Sequence, residues 1–335
     1  MAGLMERVEI VNLALNYVMA DALHAVAKLG IADLLAAGPR PIDELAAATG
    51  AHGPSLYRLL RTLCSAGVFV QDEQCHFALT PLGDTLRTDA PGSIRTAVIW
   101  IGAPMHARSC GEVLQSVLTG RPAFDALFGM PYFDYLTADP EAGRIWDEGM
   151  ACFSAMENEP IARSYAFPAS ARVVDVGGGQ GGFLAAILKA NPSVRGVLYD
   201  LPAVVKTPWL LAAAGLLERC ETVGGNFFEF LPPDGDIYVF KRVLHDWDDA
   251  TCVALLQRCR GVLPAQGRVL VIDAVIPPGN DPHPAKIVDL ILLTGLTGRE
   301  RTEPEFRTLF AEAGLRLTRV ISTPSPLSIV EGMPV

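Results

Sequence analysis

The stretch Ala171-Arg-Val-Val-Asp-Val-Gly-Gly-Gly-Gln-Gly-Gly-Phe-Leu184 constrains the fold more than any other part of the chain. Residues 172–176 are apolar and β-branched enough for a buried strand. Gly177, Gly178, Gly179, Gly181 and Gly182 suit a tight turn, because glycine enters positive φ freely and lets another group come close to the backbone. Apolar spacing over residues 183–190 predicts the helix that follows. A glycine turn that opens on a helix N-terminus presents bare N–H groups to a polar ligand. The spacing Gly177-x-Gly179-x-x-Gly182 also fits a dinucleotide site, but several nucleotide-binding folds share it. Asp175 narrows the choice. Its carboxylate would repel a nearby pyrophosphate, and it suits a ligand that carries a cationic amine.

At 335 residues and 50% hydrophobic content, the chain can build one large domain and a smaller one. A net charge of −10 argues against nucleic acid or an anionic membrane as the main partner. No unbroken run of about eighteen apolar residues occurs, so no membrane span is expected. Residues 1–30 lack a basic start followed by a pure apolar block, so no secretory signal is expected either. The seven cysteines are odd in number, scattered, and without a C-x-x-C pair. That pattern predicts reduced thiols in a cytoplasmic protein, with neither a zinc site nor a disulfide framework.

Residues 8–30 read as a helix whose polar side chains, Asn12, Asn16, Asp21, His24 and Lys28, fall on a narrow stripe. A helix apolar over most of its circumference needs cover on most sides, which points to a partner subunit. Residues 41–88 read as a helix, a turn, a second helix over 56–66 capped by Ser55 and stopped by Gly67, and a hairpin of 68–70 with 76–79. This is a winged helix, but its second helix carries only Arg58 and Arg61, and Asp43, Glu44, Asp72, Glu73 and Asp84 make the unit acidic. A major-groove reader would be basic, so the unit is expected to serve structure or dimerisation. The expected division is a winged-helix dimerisation domain over 1–93 and a catalytic domain over 94–335, with helical residues 94–167 lining a substrate pocket. Met150, Phe153, Met156 and Glu157 share one helical face. They serve either core packing or a flexible apolar wall for a flat aromatic acceptor.

After Arg172 strand and helix alternate, which predicts an α/β fold with a doubly wound, mostly parallel sheet. Strands are expected at 172–176, 195–199, 220–223, 236–240, 268–274, 315–321 and 327–330. In such sheets ligands lie beyond the carboxyl ends of the strands. Four groups land there: the glycine turn, Asp200, Asn226 with Phe227, and residues 241–245. Asp200 follows the turn by about twenty residues, where an acid accepts both hydroxyls of a ribose. These features suit S-adenosylmethionine, whose methionine part carries the cationic amine. His245 can accept a proton near neutral pH and is the candidate general base. Asp246, Asp248 and Asp249 are expected to cap and charge the next helix rather than to bind a metal. Asp246 and Trp247 are also candidates for substrate contact.

The residues that carry a family resemblance are Val173-Val-Asp-Val-Gly-Gly-Gly-Gln-Gly181, Tyr199-Asp-Leu-Pro202, Gly225-Asn-Phe-Phe228, Lys241-Arg-Val-Leu-His-Asp-Trp-Asp-Asp249 and Gly298-Arg-Glu-Arg-Thr302. In this combination the chain resembles the metal-independent, S-adenosylmethionine-dependent O-methyltransferases of the caffeic-acid and bacterial polyketide-tailoring type. The resemblance covers nearly the whole chain, including the winged helix over 31–86. It implies a Rossmann-like seven-stranded sheet and a homodimer with interlocked first helices. It implies a cofactor site in which Asp175, Gly177, Gly178 and Gly179 line the methionine end. Asp200 with Leu201 would hold the ribose, Asn226 and Phe227 would flank the adenine, and Lys241 would complete the site. His245 would be the base, oriented by Glu300 and by Asp273. The family usually has Asp where this chain has Asn226, and often Glu where it has Asp273; the shorter acid would leave Glu300 as the main partner of His245. The implied reaction is methyl transfer to a phenolic hydroxyl of a small aromatic or polyketide-type product, as in antibiotic biosynthesis. The alternatives are an NAD-dependent oxidoreductase on the same glycine spacing, and a family member that has kept the cofactor fold for other chemistry.

Overall fold

Local sequence decides where the elements of the first unit begin and end. In the computed structural model, which describes residues 2–335, the chain forms two units. The first takes the residues up to Arg108 together with Leu136–Phe153, and the second takes Ser109–Tyr135 with Ser154–Val335. A single cut after residue 93 does not reproduce this grouping. Arg95 donates from Nε to the carbonyl of Ala27, and the Thr96 hydroxyl donates to the carbonyl of Glu148. The helix Val113–Thr119 packs instead on Pro284–Gly295 in the second unit.

The first helix runs over Ala2–Leu29. Ala22, Val26 and Ala27 are buried, whereas Leu4, Met5, Val8, Ile10, Leu13 and Tyr17 are exposed in the single chain. By length and composition Gly3–Leu29 is apolar enough to cross a membrane, contrary to the expectation that no segment would be. Scattered charges such as Glu9, Asp21 and Lys28 break any unbroken apolar run and hid this. The helix Gly53–Ser65 starts one turn earlier than expected, with His52 as its flanking residue and Pro54 in its first turn. Ser55 therefore lies inside the helix and is not its cap; its Oγ is 3.0 Å from Nδ1 of His52. Three short strands follow the winged pattern: β1 (Arg40–Pro41), β2 (Phe69–Gln71) and β3 (His76–Leu79), ordered β1-β3-β2 and antiparallel. Leu45, Leu56, Leu60, Leu63, Phe69 and Phe77 fill the core beneath them.

The second unit is built on β4 (Arg172–Val176), β5 (Arg195–Asp200), β6 (Cys220–Gly224), β7 (Ile237–Lys241), β8 (Arg268–Asp273), β9 (Leu315–Ser322) and β10 (Ser328–Pro334). Their order is β6-β5-β4-β7-β8-β10-β9. The first five are mutually parallel, and β10 runs antiparallel to both β8 and β9. Val173, Val174, Val176, Val197, Leu198 and Val239 are fully buried, as continuous apolar strands covered on both faces must be. Leu184, Ile187 and Leu188 cover one face, and Leu255, Leu256, Phe306 and Phe310 cover the other. The chain leaves β4 toward β6 and returns on the other side of β4 to form β7. The switch point therefore lies between the carboxyl ends of β4 and β7, where such folds form a ligand crevice. β10 runs four residues longer than the sequence pattern shows. The reason is Glu331, an acid buried in mid-strand that accepts hydrogen bonds from Tyr165, Thr318 and Arg319.

Leu256→Ala removes a fully buried side chain from beneath the sheet. It is expected to lower stability by about 2–5 kcal/mol. Asp248→Ala removes only the acceptor for Thr251 N at the start of the helix Asp249–Val262 and is expected to lower it by about 1 kcal/mol. Urea denaturation of both variants checks the ranking.

Candidate active site

Backbone geometry shapes the glycine turn first. Gly177, Gly179 and Gly181 all have positive φ, at 69°, 56° and 81°. The N–H of Gly177 donates to Tyr199 O at 2.8 Å, which ties the turn to the end of β5. Beside Gly179 a Cβ would meet nothing within 4 Å, so the turn faces open space there. A Cβ on Gly178 would instead lie 2.7 Å from Asp175 Oδ2. Asp175 itself is buried in β4. Burial carries its pKa up to about 7, against the attraction of Lys241.

At the end of β5, Asp200 accepts from Gly179 N at 2.9 Å through Oδ2 and from Leu201 N at 2.7 Å through Oδ1. Burial raises its pKa, and those two N–H bonds oppose the rise. After β6, Asn226 folds its side chain over a local turn. Its Oδ1 accepts from Phe228 N at 3.0 Å, and its Nδ2 donates to Glu229 Oε1 at 3.3 Å. A carboxylate at 226 would face Glu229 without that donor, which gives the amide a physical reason. Phe227 packs near Gly177 and edge-on to Trp247.

At the end of β7, Lys241 Nζ donates to Ser154 Oγ at 2.8 Å and stands 3.7 Å from Glu157 and 5.7 Å from the Phe183 ring centroid. Burial pulls its pKa down to about 8, although Glu157 opposes the change. Arg242 then adopts a left-handed backbone with φ of 54°. A non-glycine residue in that region costs on the order of 1 kcal/mol. The bidentate pairing of its guanidinium with Glu157, at 2.7 and 3.2 Å, helps hold it there. The reversal delivers the chain into a short 3-10 turn, Leu244–Asp246.

His245 is buried within that turn. Its Nδ1 lies 3.1 Å from Glu300 Oε1, and its Nε2 lies 3.5 Å from Asp246 Oδ1. Because a carboxylate only accepts, Nδ1 carries the proton toward Glu300. In the neutral ring Nε2 is then the free base. Among the described residues, four buried carboxylate oxygens find no hydrogen-bond partner: Asp175 Oδ2, both oxygens of Asp273, and Glu300 Oε2. Burial alone would lower the pKa of His245, but Asp246, Glu300 and Asp273 outweigh it and bring it up to about 9. Asp246 is pushed up to about 7 by burial, against the pull of His245. Trp247 stacks on Phe133 at 5.4 Å and 25° and meets Phe228 edge-on at 4.8 Å.

The expected residues Asp175, Gly177, Gly178, Gly179, Asp200, Leu201, Asn226, Phe227, Lys241, His245, Asp246, Trp247, Asp273 and Glu300 all belong to the second unit. Met156 belongs there too and is 48% exposed. Met150 and Phe153 belong to the first unit, where Phe153 meets Trp100 edge-on at 5.9 Å. Asp246 does not cap the next helix as expected; it faces the imidazole. Asp248 is the cap, and Asp249 pairs with Arg299 and Arg301. Ser154, Arg242 and Arg301 were not expected from sequence. The only signal for the two arginines was their place inside the motifs that hold Lys241, His245 and Glu300. Among the described residues, no group of three or more His, Cys, Asp and Glu side chains is arranged to hold a metal ion.

Comparison with known proteins bears on the same arrangement. Residues 111–316 match the family profile of the O-methyltransferase domain. Residues 11–89, which include most of the exposed apolar first helix, match that of the O-methyltransferase dimerisation domain. The chain is 44% identical over 321 residues to phenazine O-methyltransferase PhzM of Lysobacter antibioticus, covering 96% of this chain and 94% of that one. It is 39% identical over 320 residues to the mitomycin biosynthesis 6-O-methyltransferase of Streptomyces lavendulae, covering 93% and 90%. Among solved structures it is similar to CalO1, a methyltransferase in calicheamicin biosynthesis in its SAH-bound form, with a TM-score of 0.88, 41% identity and full coverage of both chains. The chain belongs to the O-methyltransferase family that joins this catalytic domain to an N-terminal dimerisation domain.

Proposed function

We propose that the protein transfers a methyl group from S-adenosylmethionine to a phenolic hydroxyl of a small aromatic natural product, with His245 as general base. The observation that carries this reading is the His245–Glu300 contact at the end of β7, in the same unit as the glycine turn and Asp200. The residues present fit the donor. Asp175 keeps a buried oxygen with no partner, suited to an ammonium. Asp200 is held by two N–H groups and still has lone pairs for ribose hydroxyls. Asn226 and Phe227 offer a polar edge and a ring at the adenine end, and Lys241 closes the site beside Asp175. When bound, S-adenosylmethionine supplies an electrophilic methyl on its sulfonium.

A phenol, with a pKa near 10, is a weak nucleophile at neutral pH. In its neutral form, which grows as pH rises toward about 9, His245 takes the phenolic proton at Nε2 while Glu300 holds Nδ1–H and so fixes the tautomer. Asp273 and Asp246 add negative potential that favours the resulting imidazolium. General-base help of this kind is worth about a hundredfold to ten-thousandfold. Holding the reacting atoms in line supplies roughly 7–11 kcal/mol, so positioning outweighs the base. The exposed apolar side of Ala2–Leu29, in the dimerisation domain, is covered in a homodimer by a second copy. The odd number and scattered spacing of the seven cysteines suit a cytoplasmic location. Supplying a panel of phenols with labelled methyl donor tests the acceptor class; acceptance of carboxylates or amines alone would overturn it.

His245→Ala is expected to cut turnover by about a hundredfold or more while S-adenosylhomocysteine affinity, measured calorimetrically, stays within about twofold. Native turnover in this variant would refute the base assignment. Asp200→Ala is expected to do the reverse and weaken S-adenosylhomocysteine binding by about tenfold or more, the loss of a charge-assisted hydrogen bond.

The pH profile follows from the imidazole. Below its raised pKa the ring is protonated and cannot act as a base, so the active fraction grows as pH rises toward about 9. Turnover is therefore expected to climb from pH 7 to 9 and then level. Asp246→Asn removes one of the acids that raise the pKa and is expected to move the climb to lower pH. A profile already flat at pH 7 in the native protein would contradict this.

A further inference from the structure

The turn that carries His245 is gripped by a neighbouring loop whose remaining residues have no role in the reading above. Gly298 lies so close to the turn that a methyl group on it would overlap the carbonyl oxygen of His245 and the peptide joining Asp246 to Trp247. Two residues later Glu300 reaches Nδ1 of His245. Its own N–H donates to Asp289 Oδ1 at 2.9 Å, which fixes the loop from behind. Arg301 comes next and is 1% exposed. Its Nη1 donates to Leu244 O at 3.0 Å and its Nη2 to Trp247 O at 2.8 Å, so the fork straddles His245. Nε and Nη2 also reach Asp249 Oδ1, at 2.9 and 2.7 Å. The main chain of Arg301 is tied down as well, through Ile276 N–H to Arg301 O at 2.9 Å.

We infer that Gly298 and Arg301 are positioning residues for methyl transfer. Gly298, by lacking a side chain, lets the Glu300 loop close on the His245 turn, and Arg301 locks the carbonyls on either side of His245. This rests on the reading of His245 as base. A buried guanidinium is costly unless its donors are all used, and core packing alone would not call for one here. Its planar fork matches two separated carbonyls and a carboxylate at once; an ammonium, a point charge with three donors on a flexible stem, does not. The distances involved matter, because a misplacement of about 1 Å at a reacting group can cost about a hundredfold in rate. The groups that face the imidazole are Glu300, Asp246 and Asp273, with Arg242 and Arg301 acting on those acids. Any movement of the loop therefore registers in the titration of His245.

The test uses the full-length protein with Gly298→Ala and, separately, Arg301→Lys. Three quantities are read: turnover at saturating substrate, S-adenosylhomocysteine affinity by calorimetry, and the His245 titration by NMR on histidine-labelled protein. Each variant is expected to lose about tenfold to a hundredfold in turnover with cofactor affinity within about twofold. In Gly298→Ala the imidazole midpoint is expected to fall toward the ordinary value of about 6.5 as Glu300 recedes. Unchanged turnover and titration in both variants would overturn the inference, as would a loss of cofactor affinity equal to the loss of turnover. Should Gly298→Ala fail to fold, Arg301→Lys decides the matter on the same readouts. Native turnover in His245→Ala would sink the base assignment instead. The imidazole titration would still report whether the loop holds the turn.

Discussion

The contact between His245 and Glu300 is the constraint to which the rest of the catalytic unit answers. An imidazole, Glu300, Asp246 and Asp273 share a buried region at the ends of β7 and β8. The nearby guanidinium groups are engaged elsewhere, Arg242 with Glu157 and Arg301 with Asp249. Three acids face one imidazole, the two arginines act on Asp246 and Asp273 only through their field, and burial raises the pKa of both acids. Buried charge without full pairing is unfavourable. Backbone geometry and neighbouring hydrogen bonds restrain these groups. The left-handed Arg242, the 3-10 turn and the Arg301 fork are parts of that restraint.

One strand end serves both halves of the proposed reaction. Lys241 closes β7 beside Asp175 of β4, and His245 follows four residues later. The parallel pairing of β4 with β7 places the glycine turn and the His245 turn next to each other with no loop insertion needed. This is what a switch point offers: two turns leave the sheet in opposite directions and a crevice opens between them. It also explains why the acids and the base are spread over more than a hundred residues of sequence yet lie within one unit.

Much of this was legible beforehand. The glycine run announced the β4 turn because few other contexts tolerate three positive-φ residues so close together. Strand positions from 172 to 273 lay within a residue or two of their observed bounds; β4, β5, β7 and β8 were readable as mostly apolar, buried runs, whereas β6 is a partly exposed edge strand. What escaped had identifiable causes. Ser55 has the chemistry of a cap, but Pro54 starts the helix earlier. Asp246 sits in a run of acids that reads as helix-capping, and only the 3-10 turn shows that it points at the imidazole. Arg242 and Arg301 look like solvated charges in sequence, because their partners, Glu157 and the carbonyls of Leu244 and Trp247, are distant or belong to the backbone. The grouping of residues 136–153 with the N-terminal unit shows in contacts such as the Thr96 hydroxyl to the carbonyl of Glu148, which leave no trace in composition.

The two departures from the family pattern make sense only together with their surroundings. Asn226 is not a weakened aspartate: its amide donates to Glu229 while its oxygen caps Phe228 N. Restoring an acid there would trade an attraction to Glu229 for a repulsion, so any gain at the proposed adenine end would be opposed locally. Asp273 is different. Neither of its oxygens has a partner among the described residues, and burial raises its pKa. A shorter acid that makes no hydrogen bond can still act on His245 through its field, which reaches further than a hydrogen bond. That leaves orientation of the ring to Glu300, and Glu300 is only as well placed as the loop that begins at Gly298. On the proposed reading, the geometry of the His245 imidazole is therefore set less by the end of β8 than by the closeness of Gly298 to the His245 turn.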